Sequence, residues 1–251
     1  MPSVRINAED IFYERHGAGM GAPLVFVHGA GNTHDAWSKQ LAALQNCTAY
    51  ALDLPGHGQS TGAGRDNVAG YAEVLLGFLD GMLLASAVIA GHSLGGAIAL
   101  WLAVHKPARV RGLVLVSTGA RLRVHPNMLR AARDGRPITR AVLDEQPPAE
   151  RPTLEAQAGA NVTYGDWLAC DRFDLMDRVH EVVAPTLVVA GANDWRTPAK
   201  YSQFFMDQIK GAKLVTVEGA GHNPMQEKPD EVNQAIQAFV NALPIVPPQK
   251  Q

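Results

Sequence analysis

One hexapeptide constrains this chain more than any other stretch. Gly91-His92-Ser93-Leu94-Gly95-Gly96 follows the short apolar run Ala87 to Ala90 and opens Leu94 to Val104, which is apolar nearly all round and stops at Pro107. A buried strand that passes straight into a helix must turn sharply, and the glycines on either side of Ser93 leave room for the close backbone approach that such a turn requires. The middle residue is then presented on a strained, exposed corner. The pattern G-x-S-x-G is also a common small-residue turn, so its weight comes from the strand before it and the helix after it. In that setting the Leu94 amide and the positive end of the helix point to where negative charge would grow on an attacked carbonyl oxygen.

A serine hydroxyl is a weak nucleophile at neutral pH, so this reading requires a histidine base and an acid to orient it. Both occur downstream, each directly after an apolar β-rich run. Asp194 follows Thr186 to Ala190 in Gly191-Ala192-Asn193-Asp194, and His222 follows Leu214 to Val217 in Gly219-Ala220-Gly221-His222-Asn223-Pro224. The rival carboxylates Asp171, Asp174 and Asp177 lie where no convincing strand precedes them. Upstream, Leu24 to Val27 runs into His28-Gly29-Ala30-Gly31, a small-residue loop suited to the second oxyanion donor. The Ala30 amide is the first choice and Gly31 the second, with His28 bracing the loop.

The rest of the chain alternates between such runs and helical patterns, the signature of a mainly parallel sheet with helical crossovers. Val4 to Ile6 and Ile11 to Tyr13 read as an opening antiparallel hairpin. Buried strands follow at Leu24 to Val27, Thr48 to Leu52, Ala87 to Ala90, Leu113 to Val116, Thr186 to Ala190 and Leu214 to Val217, giving about eight strands and an α/β class. Val68, Tyr71, Leu75, Phe78, Leu79 and Met82 share a helical face. Pro229-Asp230-Glu231 starts a last helix with its stripe at Val232, Ile236, Phe239, Val240 and Leu243. Between Gly119 and His180 the alternation fails, and Pro126, Pro137, Pro147, Pro148 and Pro152 break the segment into short helical pieces. The expected organisation is a core of residues 1–118 and 181–243, a helical cap at 119–180 and a frayed tail at 244–251.

Other functions are excluded on composition and spacing. Twenty-two Lys and Arg against 24 Asp and Glu give a net charge of −2, too balanced for the phosphate-neutralising surface that nucleic acid requires. Gly29-x-Gly31 with Asp53 after the next strand imitates a dinucleotide-binding turn. The third position is His34 where helix packing needs Gly or Ala, so the fingerprint is incomplete. Two cysteines, Cys47 and Cys170, make neither a disulfide framework nor a zinc ribbon, which favours a reducing, cytoplasmic compartment. The longest apolar stretch, Leu75 to Gly91, is interrupted by Asp80, and the first residues lack a signal-peptide pattern, so neither a membrane span nor a secretory leader is expected.

Taken together, His28-Gly29-Ala30-Gly31, Asp53-Leu54-Pro55-Gly56-His57-Gly58-Gln59-Ser60, the Ser93 elbow and the Asp194 and His222 turns resemble the α/β-hydrolase-fold serine hydrolases over nearly the whole chain. The resemblance implies a cofactor-free, carboxylesterase-like enzyme that cleaves a small or medium carboxylic ester through an acyl-enzyme. The triad would be Ser93, His222 and Asp194, with Ala30 and Leu94 as backbone oxyanion donors. Its partner would be a small-molecule ester or thioester, and the chain a monomer or homodimer. Acyl-CoA thioesterases, C–C bond hydrolases, haloperoxidase-like enzymes and hydroxynitrile lyases keep the serine and stay open as alternatives, whereas members with aspartate at the elbow do not fit. A ligand receptor with slow turnover is a further alternative. Substrate contacts are expected from His28, Gly29, Met128, Leu129 and Trp167, with Leu143, Tyr164 and Phe173 as further pocket walls. Seven arginines between Gly119 and Ala160, at 121, 123, 130, 133, 136, 140 and 151, against five acidic side chains, raise the option of an anionic group at the pocket mouth.

Overall fold

Successive residues of a strand point to opposite faces, so strands apolar at every position belong in the middle of a sheet covered on both sides. The computed structural model, which describes residues 2–19, 21–136 and 158–244, shows that arrangement. β1 (Ser3–Ile6) pairs antiparallel with β2 (Glu9–His16), which in turn lies antiparallel to β4 (Ala49–Leu52). β3 (Leu24–Val27), β5 (Ala87–His92), β6 (Val110–Val116), β7 (Thr186–Gly191) and β8 (Lys213–Val217) complete an eight-stranded sheet, parallel from β4 onward. The order is β1-β2-β4-β3-β5-β6-β7-β8.

Period-2 alternation divides the core between the two faces. Val25, Val27, Ile89 and Leu113 pack with α2 (Val68–Gly81) and α3 (Leu94–His105), while Leu24, Phe26, Val88 and Val114 pack with α1 (Ser38–Ala43) and α8 (Pro229–Asn241). Trp37 is fully buried on the second face, stacked on Phe26 with ring centroids 4.6 Å apart. The apolar circumference of α3 is explained by its position: ten of its residues are buried.

Leu214 to Val217 is not a buried strand. β8 is the outer edge of the sheet, where only Val217 is buried and Leu214 is 37% exposed. With a neighbour on one side alone, its apolar run is left partly open to water. The second strand also runs further than expected, to His16, because its outer half continues to pair with β4.

Residues 119–180 contribute α4 (Pro126–Arg133) and α5 (Ala160–Arg172), which pack together, and a 3-10 turn over Met176–Glu181. Leu143, Arg140, Arg151 and most of the tail lie outside the described residues. α6 (Lys200–Gln208) and the short α7 (Pro224–Glu227) complete the helices among the described residues. None of these helices is long and apolar enough to cross a membrane.

Candidate active site

The loops after β3, β5, β7 and β8 all leave the carboxyl ends of parallel strands, the edge where open α/β sheets gather ligand-binding residues. Ser93 sits on the β5–α3 turn with φ 52° and ψ −115°, a backbone conformation that L residues rarely adopt. Surroundings hold it there. Its N–H donates to the Val116 carbonyl at 3.0 Å, and its own carbonyl accepts from Gly96 and Ala97 and from the Thr118 hydroxyl. A Cβ on Gly91 would lie 2.1 Å from the Gly95 oxygen, and one on Gly95 would lie 2.2 Å from the Val27 oxygen, so the turn closes only with glycine at both positions.

Three side chains from separate loops meet in one line. Ser93 Oγ lies 3.1 Å from His222 Nε2, and His222 Nδ1 lies 2.9 Å from Asp194 Oδ2. Asp194 also accepts from the Arg196 and Thr197 amides on Oδ1 and from the Thr197 hydroxyl on Oδ2. Burial opposes ionisation of this carboxyl, but the hydrogen bonds from His222 and Thr197 outweigh it and hold the group well below the ordinary carboxylate range. An ionised Asp194 accepts from Nδ1–H, which leaves Nε2 unprotonated and aimed at the serine hydroxyl.

Across the elbow, Gly29 lies against His92 and Ser93. The Gly31 amide is committed to Asp166 Oδ2 at 2.7 Å, whereas the Ala30 and Leu94 amides donate to no backbone carbonyl among the described residues. His28 is fully buried and accepts from the Leu54 amide on Nε2, so its Nδ1–H donates to the Gly29 carbonyl. Asp53 is fully buried, and both of its oxygens are engaged inside the fold by the His34 ring and amide and the Gln59 amide.

A cavity of about 240 Å³ opens over Ser93 and His222. Met128 from α4 and Trp167 from α5 line it, as does Trp195 from the acid loop; Leu129, Tyr164 and Phe173 do not. Leu129 is half-buried against the apolar core instead. Cys170 lines the cavity as a thiol whose ionisation is strongly disfavoured by burial. Of the arginines of residues 119–180 that the structure describes, only Arg123 reaches this cavity. Arg121, Arg133 and Arg136 pair instead with Asp174 or Asp134.

A family model described as the alpha/beta hydrolase family matches residues 24–235. The chain belongs to the alpha/beta hydrolase family. It is 32% identical over 91% of its length to the dihydrolipoyllysine-residue acetyltransferase component of the acetoin cleaving system of Pseudomonas putida, of which it spans 66%. It is 26% identical to the (E)-2-((N-methylformamido)methylene)succinate hydrolase of Acinetobacter baylyi, covering 90% of this chain and 93% of that one. A thermophilic esterase of known structure superposes with a TM-score of 0.81 at 31% identity, covering 98% of both chains.

Sequence reasoning missed three residues beside this site. His92 Nε2–H donates to the His222 carbonyl at 2.9 Å, tying the elbow to the histidine loop. Arg196 follows the acid by two positions and reaches the cavity. Asp166 lies on α5, fully buried, among Gly31, His57 and Tyr71. Nothing in their spacing signals these contacts, since each joins segments far apart in the chain.

The buried histidines make stability depend on pH. Burial, reinforced by the neighbouring His57, pushes His28 down to about 4; burial, reinforced by the neighbouring His222, pushes His92 down to about 3. Between these values and the ordinary 6.5, the unfolded chain takes up protons that the folded chain refuses, so stability falls as pH drops below 6.5. Refusing that proton costs, for one such ring, on the order of 3 kcal/mol of stability once the pH has fallen to its folded value. His34 and His57 act in the opposite sense. The hydrogen bond to Asp53 raises His34, and Asp166 raises His57 against its burial. Their contribution is complete below 6.5 and fades as pH rises through their folded values. Thermal unfolding followed from pH 4 to 9 should therefore show Tm passing through a maximum near pH 6.5; a Tm still climbing from pH 6.5 down to pH 5 would contradict this.

Proposed function

We propose that the chain is a serine hydrolase that cleaves a small carboxylic ester through an acyl-enzyme. The observation that carries this reading is the continuous Ser93–His222–Asp194 hydrogen-bond line at a strained strand-to-helix turn. His222 Nε2 takes the Ser93 proton while Oγ attacks the ester carbonyl, and the amides of Ala30 and Leu94 hold the oxyanion. Collapse of the tetrahedral adduct breaks the C–O bond to the alcohol, which leaves with the proton from His222. Water then repeats the sequence on the acyl-serine, giving up a proton to His222 and releasing the acid as Ser93 is reprotonated. Asp194 keeps the imidazole in the required tautomer and steadies the imidazolium that forms in each half.

Gly31 is the poorer candidate for the second donor because its N–H already serves Asp166. Residues 119–180 serve in this reading as a cap, since α4 and α5 supply Met128 and Trp167 to the cavity wall. A cavity of about 240 Å³ lies below the usual range for drug-sized ligands and favours small acyl and alcohol groups. The hydrolase and the esterase among the relatives carry the same class of chemistry in their names.

Rapid mixing with p-nitrophenyl acetate tests the intermediate. A burst of p-nitrophenol followed by slower steady turnover is expected, with an acetyl adduct on the peptide containing Ser93 in acid-quenched samples. Turnover with an adduct elsewhere, or no turnover from folded protein across acetate, butyrate and octanoate esters, would overturn the proposal.

A further inference from the structure

Tyr201 lines the cavity over Ser93 and also a second cavity, of about 260 Å³, whose other walls are Ala120, Arg121, Met176, Lys200 and Phe204. Among the described residues it alone is common to both walls. The place of its ring follows from the chain around it. Tyr201 stands in the first turn of α6, its N–H donating to the Pro198 carbonyl at 2.9 Å, and the fully buried Phe205 seats that helix in the core. The Cδ1–Cε1 edge of the ring lies over Gly119, where a Cβ would come within 2.2 Å of Cδ1, so the ring rests there only because residue 119 is glycine. Lys200 Nζ lies 5.8 Å from the ring centroid. Gly119 directly follows Thr118, whose hydroxyl donates to the Ser93 carbonyl. The half-buried ring is thereby tied to the turn that presents the serine.

Ala120, Met176, Phe204 and the Tyr201 ring give the second cavity its apolar surface, with Arg121 and Lys200 exposed to solvent. Hydrocarbon that enters such a space gains affinity with every methylene it buries. A chain bound over Ser93 meets the aromatic ring before it reaches that space, and loss of the ring would about double the room open to it. We propose that Tyr201 sets the chain length of the ester this site accepts, by closing the Ser93 cavity against the second one. This rests on the reading of Ser93 as nucleophile and deepens it: the substrate is an ester of short hydrocarbon groups, and one aromatic ring limits their length.

The test follows kcat/KM for p-nitrophenyl butyrate and octanoate, and for ethyl and hexyl acetate, so that acyl and alcohol chains are both sampled. In Tyr201→Ala the long-to-short ratio of one series should rise by about tenfold or more over wild type. Tyr201→Phe keeps the ring and should keep the wild-type ratio. Met176 lines the second cavity and not the first, so Tyr201→Ala/Met176→Trp refills the added space and should return the ratio most of the way to wild type. A tyrosine that only supported the fold would give no such reversal. Tyr201→Leu takes the place of Tyr201→Ala if that protein does not fold, with a smaller rise. The same esters are titrated calorimetrically into Ser93→Ala and Ser93→Ala/Tyr201→Ala, where the binding ratio should shift in the same direction. Ratios unchanged in both series, an equal rise in Tyr201→Phe, or a rise that Met176→Trp leaves intact overturn the proposal. A shift in binding without any turnover supports the division of the two cavities and removes the nucleophile reading alone.

Discussion

Ser93→Ala should lower kcat on a neutral p-nitrophenyl ester by about a million-fold, with its Tm within about 2 °C of wild type. In the proposed mechanism the Ser93 hydroxyl forms the covalent bond, and no other group in the cavity substitutes for it. His222→Ala should cost nearly as much, because Ser93 then lacks an acceptor for its proton. The double variant should be no slower than either single one, since side chains acting as a unit lose their effect together. Asp194→Asn should cost less, about 10⁴-fold, by favouring the wrong imidazole tautomer while keeping the geometry. Removing the hydroxyl leaves the Ala30 and Leu94 amides, the proposed oxyanion donors, in place, so on this proposal the residual rate in Ser93→Ala measures what oxyanion stabilisation and binding contribute on their own. Additive losses in the double variant would show that serine and histidine act separately, and an Asp194→Asn loss under tenfold would remove the acid from the assignment.

The sequence and the structure agree most closely where a local pattern and a buried position coincide. β3 and β4 read as unbroken apolar runs because both faces are covered, and the Ser93 turn was legible because glycine is required at Gly91 and Gly95 for steric reasons. The loops that bring Ser93, Asp194 and His222 together could be located because each follows a recognisable strand. Edge position was not legible. Leu214 to Val217 has the composition of an interior strand, and only the sheet order shows that it has one neighbour. Partners fixed by packing left no trace either. Arg196 sits in a turn outside the arginine-rich segment, and its relation to Trp167 depends on where α5 lies over the sheet. Asp166 occurs in a polar stretch of α5 that gives no hint of complete burial.

That burial leads to the second large effect. Asp166 Oδ2 accepts from the Gly31 amide and from His57 Nε2 at 2.8 Å, and Oδ1 accepts from the Tyr71 hydroxyl. His57 Nδ1 faces the Pro55 carbonyl, so both ring nitrogens meet acceptors and the ring is satisfied only as an imidazolium paired with Asp166. Asp166→Ala would leave a buried cation, an amide and a hydroxyl without their acceptor. Breaking a buried pair in this way costs about 3–5 kcal/mol, which for a domain of this size lowers Tm by roughly 6–20 °C. Activity should fall as well, because Gly31 adjoins the Ala30 amide and its anchor on α5 sets the course of that loop. A displacement of about 1 Å at an oxyanion donor is enough to cost on the order of 100-fold in kcat. Asp166→Asn separates the two effects: it keeps an oxygen for Gly31 while losing the charge that balances His57, so Tm should drop more than kcat does. Matched losses in both variants would mean that the loop follows global stability, and an unchanged Tm in Asp166→Ala would mean that the buried pair contributes nothing to the fold.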